Sequence, residues 1–290
     1  MLGSEKDTPQ ARTPTENAEQ ARGPATTPVG DESGRANDLG RVVGSNLFKT
    51  FGNDVQALAD VSFKVEPGEF LSVVGPSGCG KSTLLRLIAG LLPRDAGELT
   101  VNGDRVSDPR QDVALMFQKP NLLPWKTSFE NVMLPRELQG RVKQEDEHEA
   151  ARMLGMVGLD EFVHAYPSQL SGGMQQRVAV ARSLMVGAGI LLLDEPFGAV
   201  DELTREKLNL ELLRIQESLS LTIILITHNI SEAIFLADRV LVMTPRPGRI
   251  ADVLDVGLER PRTIEMTAEP AFAELEIRAR KVLADYEEPS

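Results

Sequence analysis

The nine residues GPSGCGKST, from 75 to 83, combine three glycines and a lysine with hydroxyl side chains. They satisfy the pattern G-x-x-x-x-G-K-[ST] between an apolar run, EFLSVV, and a helix-like stretch, LLRLIAGLL, which is the context typical of a phosphate-binding loop. The glycines let backbone N–H groups point inward at a polyphosphate, and the following helix adds its positive N-terminal end. Lys81 should reach the β- and γ-phosphates, and Ser82 should hold Mg²⁺. The alternative is a glycine-rich turn with an incidental lysine. The predicted nucleotide-binding residues of this loop are Gly75, Pro76, Ser77, Gly78, Cys79, Gly80, Lys81, Ser82 and Thr83.

A second apolar run, GILLLDEP, ends in two carboxylates, Asp194 and Glu195. A buried strand of this kind is expected to bring them to the C-terminal edge of a parallel sheet, where ligands usually bind. Asp194 is then predicted to hold the Mg²⁺, and Glu195 to orient or deprotonate an attacking water. Asp-Glu by itself is equally typical of a solvated strand end, and only its pairing with the phosphate loop favours the catalytic interpretation.

The stretch LSGGMQQR, from 170 to 177, predicts a third site. Ser171 is a helix N-cap by residue type, and Gly172 and Gly173 leave bare N–H groups at the start of the helix. Such a helix start is a potential anion site, the second in the same chain. The alternative is an ordinary capped helix.

The elements that must position these motifs indicate an α/β fold. From RVVGSNLFKTFG through ALADVSFKVEPGEFLSVVG the pattern predicts strands, several of them antiparallel. The stretches SFENVMLPRELQ and QEDEHEAARMLGMVGL predict a helical subdomain over about 119–185. Beyond it, the apolar runs GILLLDE, LTIILIT and DRVLVMT alternate with helices, which is typical of a mostly parallel sheet covered on both faces.

The amino-acid composition indicates a folded protein of a reducing compartment that does not bind nucleic acid. A hydrophobic fraction of 41% permits a sizeable core, while a formal net charge of −12 argues against nucleic acid as a partner. Cys79 is the single cysteine and cannot form an internal disulfide, which favours a reducing compartment. The start MLGSEKDTPQ has charges where a signal peptide needs an apolar core. Residues 1–40 have no aromatic side chain, so we predict a disordered tail.

The three motifs together make the sequence resemble the ATP-binding subunits of ABC transporters, whose signature is an LSGGQ-like stretch. Here Met174 replaces the more usual glutamine, and Gln175 follows it. The resemblance covers about residues 45–256. It implies a P-loop NTPase core with an antiparallel β subdomain and a helical subdomain, and ATP with Mg²⁺ as ligands. It also implies a head-to-tail homodimer, in which the signature of one protomer closes over the γ-phosphate held by the other.

Four further positions match the family in the expected order. Gln118, ending VALMFQ, resembles the Q-loop glutamine, which contacts Mg²⁺ or water and senses the membrane partner. His228 in LITHN resembles the switch histidine that touches the γ-phosphate, although a histidine at a strand end is often structural. Asp201, ending GAVD, resembles the D-loop that crosses the dimer interface, where the family usually reads ALD. Phe51 lies where the family places an aromatic residue against adenine.

Two segments, FQKPNLLPWKTSFENVMLP and MTPRPGRI, resemble the nitrate, sulfonate and taurine group of importer ATPases. This resemblance implies ATP hydrolysis coupled to uptake through a separate integral permease, with a solute-binding protein as an indirect partner, at the cytoplasmic face of the cell membrane. The segment after Gln118 cups a coupling helix of the permease in this family. Its apolar residues could equally form the core of the helical subdomain; they are Leu122, Leu123, Trp125 and Phe129.

Other members of the family remain alternatives. The ATPase of an exporter is the nearest of them. A soluble ABC ATPase of DNA repair or ribosome function is opposed by the lack of long heptad helices and of a second phosphate loop. The transported solute stays open, because nothing in such a subunit touches cargo.

The predicted domain organisation is a tail over 1–40, an ATPase domain over 41–256 and a C-terminal helical extension over 257–290. In the extension, AFAELEIRARKVLADY predicts one amphipathic helix. Its apolar stripe consists of Phe272, Leu275, Ala279, Val282 and Tyr286.

Overall fold

Two β-sheets organise the chain in the computed structural model, which describes residues 39–286 except 53, 141 and 199. The tail predicted over 1–40 therefore lies almost wholly outside the described residues, as do residues 287–290. In the described part, the first sheet is antiparallel and four-stranded, with the order β2-β1-β4-β5. Its strands are β1 Val42–Phe51, β2 Val55–Val65, β4 Ala96–Val101 and β5 Asp104–Arg105.

The second sheet has six strands in the order β10-β9-β3-β8-β7-β6, and all neighbours except β10 and β9 pair in parallel. The predicted mostly parallel sheet is thus confirmed. The terminal strand β10 was not predicted from the sequence, because it is a half-exposed edge strand whose polar residues hide the apolar pattern. The strands are β3 Phe70–Val74, β6 Val113–Met116, β7 Ile190–Asp194, β8 Thr222–Ile226, β9 Arg239–Met243 and β10 Ile250–Asp255.

Helices cover both faces of this sheet. Successive residues of the central strands point to opposite faces, so that Leu191 and Leu193 of β7 enter one apolar core while Ile190 and Leu192 enter another. This double burial explains why the strands read as continuous apolar runs. The helices are α1 Lys81–Ile88, α2 Ser128–Leu138, α3 Gln144–Met156, α4 Gly172–Leu184, α5 Glu202–Leu219, α6 Ile230–Leu236 and α7 Pro270–Ala284.

The predicted helical subdomain is present, with α2, α3 and α4 inserted between β6 and β7. Asn131 of α2 is fully buried and fastens the segment that precedes the helix. Its side chain accepts the Leu123 N–H at 2.8 Å and donates to the Lys126 carbonyl at 2.9 Å. Leu122 and Phe129 pack against the main core, whereas the Trp125 side chain between them is 70% exposed. Leu122 and Phe129 thus belong to the core of the protein, while the permease contact of Trp125 stays a prediction.

The C-terminal helix α7 packs on α6 and on the edge of the parallel sheet. Phe272 and Ala279 are buried, and the Ser231 hydroxyl of α6 donates a hydrogen bond to Glu276. Tyr286 does not belong to the buried stripe, which corrects the sequence prediction: the helix ends at Ala284, and Tyr286 is half exposed. Among the described residues, none of the helices combines the length and the apolar character needed to cross a bilayer.

Candidate active site

The phosphate-loop motif forms the turn between β3 and α1, as its context predicted. Gly78 and Gly80 have φ angles of +75° and +110°, in the left-handed region that glycine adopts without strain. Gly80 is also the N-cap of α1, where a Cβ atom would collide with the Ala57 carbonyl of β2. The buried Lys81 ammonium lies inside the loop, donating to the carbonyls of Gly75 at 2.7 Å and Pro76 at 3.0 Å.

A cavity of about 290 Å³ opens in front of this loop. The antiparallel sheet supplies one wall through Phe51, Val55 and Ala57. Phe51 is 39% exposed, so its ring is accessible to a planar base. Of the loop motif, Ser77, Gly78, Gly80, Lys81, Ser82 and Thr83 line the cavity, whereas Cys79 is buried behind it. The remaining lining residues are Glu195 and Arg246.

Asp194 lies beside Ser82, which lines the cavity, although Asp194 itself is not among the lining residues. The Ser82 hydroxyl donates to Asp194 Oδ1 at 3.1 Å, across the boundary between α1 and β7. Burial raises the pKa of Asp194 above its usual value, the Ser82 hydrogen bond opposes that rise, and the charge of Glu195 adds to it. A half-buried carboxylate beside a hydroxyl oxygen and a cavity fits a hard cation such as Mg²⁺, which prefers oxygen ligands.

Two other predicted site residues contact the side chain of Glu195. Its carboxylate accepts a hydrogen bond from Gln118 Nε2 at 3.1 Å and lies 3.3 Å from His228 Nδ1. Gln118, Glu195 and His228 follow β6, β7 and β8, so parallel strands deliver all three to one sheet edge. The backbone of Glu195 is left-handed, with φ +47°, and its N–H donates to the Ile226 carbonyl at 2.9 Å. A non-glycine residue held in this region is typical of functional sites.

The predicted signature and D-loop residues lie next to each other but outside this cavity. Ser171 caps α4 by accepting the Met174 N–H at 3.3 Å, and Asp201 caps α5 by accepting the Thr204 N–H at 3.0 Å. A Cβ atom at Gly173 would touch the Thr204 side chain, so the two helix starts pack together. Ser171, Gly172, Gly173 and Asp201 are absent from the cavity lining of the described chain.

The segment carrying His228 has a buried support that the sequence analysis missed. The Thr227 hydroxyl donates to Glu232 Oε2 at 2.5 Å and accepts the Asn229 N–H at 3.0 Å. The Asn229 side chain in turn accepts the Glu232 N–H and caps α6. Glu232 is 7% exposed, and burial raises the pKa of its carboxyl, although hydrogen bonding to Thr227 opposes that rise. Its only sequence signal is a glutamate on an apolar helix, one turn after the histidine.

The Glu232→Gln variant is expected to gain stability relative to the parent as the pH rises. The pKa of Glu232 in the folded protein lies above its usual value of 4.5, so the folded protein retains a proton that the unfolded chain has already lost. The parent's free energy of unfolding therefore falls as the pH rises from 4.5 through the folded-state pKa. The amide does not titrate, so the variant lacks this loss.

Urea unfolding at pH 5 and pH 8 measures how the free energies of unfolding of Glu232→Gln and the parent differ. The matched control is Glu161→Gln, at an exposed glutamate, which we expect to follow the parent at both pH values. If the free energies of unfolding of Glu232→Gln and the parent differed by the same amount at pH 5 and pH 8, the raised pKa of Glu232 would be contradicted.

Arg246 is a further polar residue that the sequence analysis did not assign to the site. It lines the cavity, and its guanidinium contacts the phosphate loop. Its signal in the sequence was the stretch MTPRPGRI, which had indicated only a group within the family.

Comparisons with known proteins agree with this geometry. The family model described as ABC transporter matches residues 58–198. An uncharacterized ABC transporter ATP-binding protein of Methanocaldococcus jannaschii is 47% identical, over 75% of this chain and 82% of its own length. A taurine import ATP-binding protein of Rhizobium johnstonii is 44% identical, over 82% and 93%. A nitrate import ATP-binding protein of Synechococcus elongatus is 44% identical, over 80% and 86%.

Solved structures give the same result. The dimeric post-hydrolysis state of an ATP-binding cassette, bound to ADP and phosphate, superposes with a TM-score of 0.66 at 33% sequence identity. The match covers 75% of this chain and the whole of that one. The chain therefore belongs to the ABC transporter family and has the fold of its ATP-binding cassettes.

Proposed function

We propose that this chain is the ATP-hydrolysing subunit of an ABC importer for nitrate, a sulfonate, taurine or a related small solute. The observation that carries the proposal is the convergence of Gln118 and His228 on the carboxylate of Glu195, which lines the phosphate-loop cavity. That arrangement provides a base and two polar partners where the terminal phosphate of a bound nucleotide would lie.

Each residue of the cavity then has a role in ATP hydrolysis. Lys81 exchanges its two carbonyl partners for phosphate oxygens, because charged acceptors make stronger hydrogen bonds than neutral ones. Ser82 and Asp194 would hold Mg²⁺, which when bound neutralises part of the phosphate charge. Glu195 orients and deprotonates the attacking water, while Gln118 and His228 position its carboxylate.

The site of a single chain lacks one wall, and we propose that a second copy supplies it. Ser171, Gly172 and Asp201 are exposed and Gly173 is buried; all four lie at the starts of α4 and α5, outside the cavity of their own chain. In a head-to-tail dimer, the N-terminal end of α4 would face the γ-phosphate held by its partner. ATP can then favour the closed dimer, because the nucleotide binds that state better than the open one. The related cassette solved with ADP and phosphate is dimeric.

We place the permease contact on the helical subdomain, around the exposed ring of Trp125. Phe117, next to Gln118, is 42% exposed, and Trp125 follows on the segment fastened by Asn131. Large exposed aromatic side chains on a rigid support are typical of interfaces. A permease bound here would lie next to Gln118, whose side chain donates a hydrogen bond to Glu195.

Trp125→Ala is expected to weaken the assembly with the permease by about 30-fold or more, since a central aromatic residue contributes roughly 2 kcal/mol or more to such an interface. Nucleotide binding by the isolated chain should not change. Co-purification of the epitope-tagged chain with its permease from detergent-solubilised membranes measures the effect. The control is Tyr286→Ala, at an exposed aromatic residue far along the chain; equal permease recovery with Trp125→Ala and the parent would refute the placement.

The solute is proposed to be a sulfonate, taurine or nitrate. The relatives are named for the import of taurine, aliphatic sulfonates and nitrate, which are small solutes that each carry a sulfonate or an oxyanion group. A solute-binding protein is the proposed source of the cargo, and the chain itself works at the cytoplasmic face of the membrane through the permease.

Uptake by vesicles containing the purified transporter tests the whole proposal. Vesicles loaded with ATP should accumulate at least one of labelled taurine, an alkanesulfonate or nitrate, when supplied with the solute-binding protein. ATP-driven movement in the opposite direction would instead favour an exporter.

A further inference from the structure

The loop from 244 to 249, which joins β9 to β10, forms part of the nucleotide cavity. We call it the hairpin loop. Strand β9 pairs in parallel with β3, so the hairpin loop and the phosphate loop leave the sheet at the same edge. The loop is closed by two hydrogen bonds, from the Thr244 N–H to the Arg249 carbonyl and from the Arg249 N–H to the Thr244 hydroxyl, each 3.0 Å long. It therefore holds a fixed shape beside the phosphate loop.

Gly248 attaches the hairpin loop to the antiparallel sheet. Its N–H donates to the Ala57 carbonyl, and its carbonyl accepts the Ala59 N–H, both at 3.0 Å. A Cβ atom at this position would collide with the Cys79 carbonyl oxygen of the phosphate loop. Only glycine permits this approach, so the hairpin loop is packed between β2 and the phosphate loop, the two walls of the cavity.

Arg246 projects from the hairpin loop onto Gly78. Its Nε and Nη2 atoms donate to the Gly78 carbonyl at 3.3 and 3.1 Å. A guanidinium has five N–H groups, so most of its donors remain available. Arg246 is exposed at the cavity, and within the described residues it has no carboxylate partner.

We propose that Arg246 binds the phosphate chain of the nucleotide, as a second cationic residue beside Lys81. The proposal rests on the function proposed above. The guanidinium also neutralises the Gly78 carbonyl, a partial negative charge that would otherwise lie close to a polyphosphate. Arginine suits this role because its planar donors match phosphate oxygens and it remains charged at any physiological pH. The stretch MTPRPGRI thereby acquires a function: it brings one arginine to the phosphate loop from a distant part of the sequence.

Isothermal titration of the full chain with ADP, ATP and AMP in the presence of Mg²⁺ tests the proposal. For Arg246→Ala we expect roughly tenfold weaker binding of ADP and ATP, as for the loss of one charge-assisted contact at an exposed site. AMP lacks the β- and γ-phosphates that Lys81 should reach, so its affinity should fall by less than about twofold if Arg246 contacts the same phosphates. Arg246→Lys should recover part of the affinity. Arg249→Ala, at an exposed arginine of the same loop, is the control and should bind all three like the parent.

Arg246→Gln separates the two roles of the side chain, since an amide can still donate to the Gly78 carbonyl but carries no charge. The proposal expects it to bind ADP as weakly as Arg246→Ala. Parent-like affinity of Arg246→Gln would overturn the phosphate contact, leaving only support of the loop. Equal losses for AMP and ADP would also overturn it, and so would parent-like binding by Arg246→Ala.

The failure of this inference is distinguishable from failure of the proposed function. If the parent chain bound no nucleotide, the function itself would be wrong. If the parent bound nucleotide and the Arg246 variants bound it equally well, only the role of Arg246 would be wrong.

Discussion

Glu195→Gln is expected to lower ATP hydrolysis by about 10²- to 10⁴-fold, the usual contribution of a general base. The amide retains the size of the side chain and can still contact Gln118 and His228, so nucleotide binding should remain within about twofold of the parent, as for an exchange that preserves the contacts. Because the bound ATP is no longer consumed, the variant should accumulate as a closed dimer. Phosphate release by the assembled transporter and size-exclusion chromatography with MgATP measure the two effects.

The matched control for this variant is Glu259→Gln, at an exposed glutamate after β10. Its hydrolysis rate should equal that of the parent. Parent-like hydrolysis by Glu195→Gln would remove Glu195 from the role of base, whereas loss of ATP binding would show that its carboxylate acts on the nucleotide rather than on water.

Lys81→Ala is expected to weaken ATP binding by about 100-fold or more, equivalent to roughly 3 kcal/mol of lost charge-assisted contacts. The Lys81 ammonium is buried within the phosphate loop, where no other lysine lines the cavity of the described chain. Titration with a fluorescent ATP analogue measures the loss of affinity.

Removal of Lys81 also leaves the Gly75 and Pro76 carbonyls without their ammonium partner, so the fold of the variant must be checked. Circular dichroism should show parent-like secondary structure, and Lys207→Ala, at an exposed lysine of α5, should bind ATP normally. A folded Lys81→Ala protein with parent-like affinity would contradict the phosphate-binding role.

The sequence predicted those parts of the site that local pattern determines. A glycine-rich turn between an apolar strand and a helix has one common solution, and the structure has it between β3 and α1. Parallel strands end at a common edge, so Gln118, Glu195 and His228 could be expected to meet before any distance was known. The fold class was predictable for the same reason, because buried apolar runs alternate with helices.

Contacts between distant segments were not predictable. Arg246 meets Gly78 across 168 residues of sequence, and no local pattern indicates that approach. Likewise, the exposure of Trp125 beside the packed Leu122 and Phe129 depends on how the buried Asn131 holds the segment. The edge strand β10 was not predicted, because it is only partly buried and therefore lacks a clear apolar pattern.

The packing of α7 on α6 has a consequence for the catalytic edge. Helix α6 begins two residues after His228, and its Ser231 is joined to Glu276 of α7. Helix α7 thus forms the outer support of the histidine segment, while the buried Glu232 supports it from within. Displacement of α7 would therefore remove a support of α6 and of the histidine segment before it, although no residue of α7 lines the cavity.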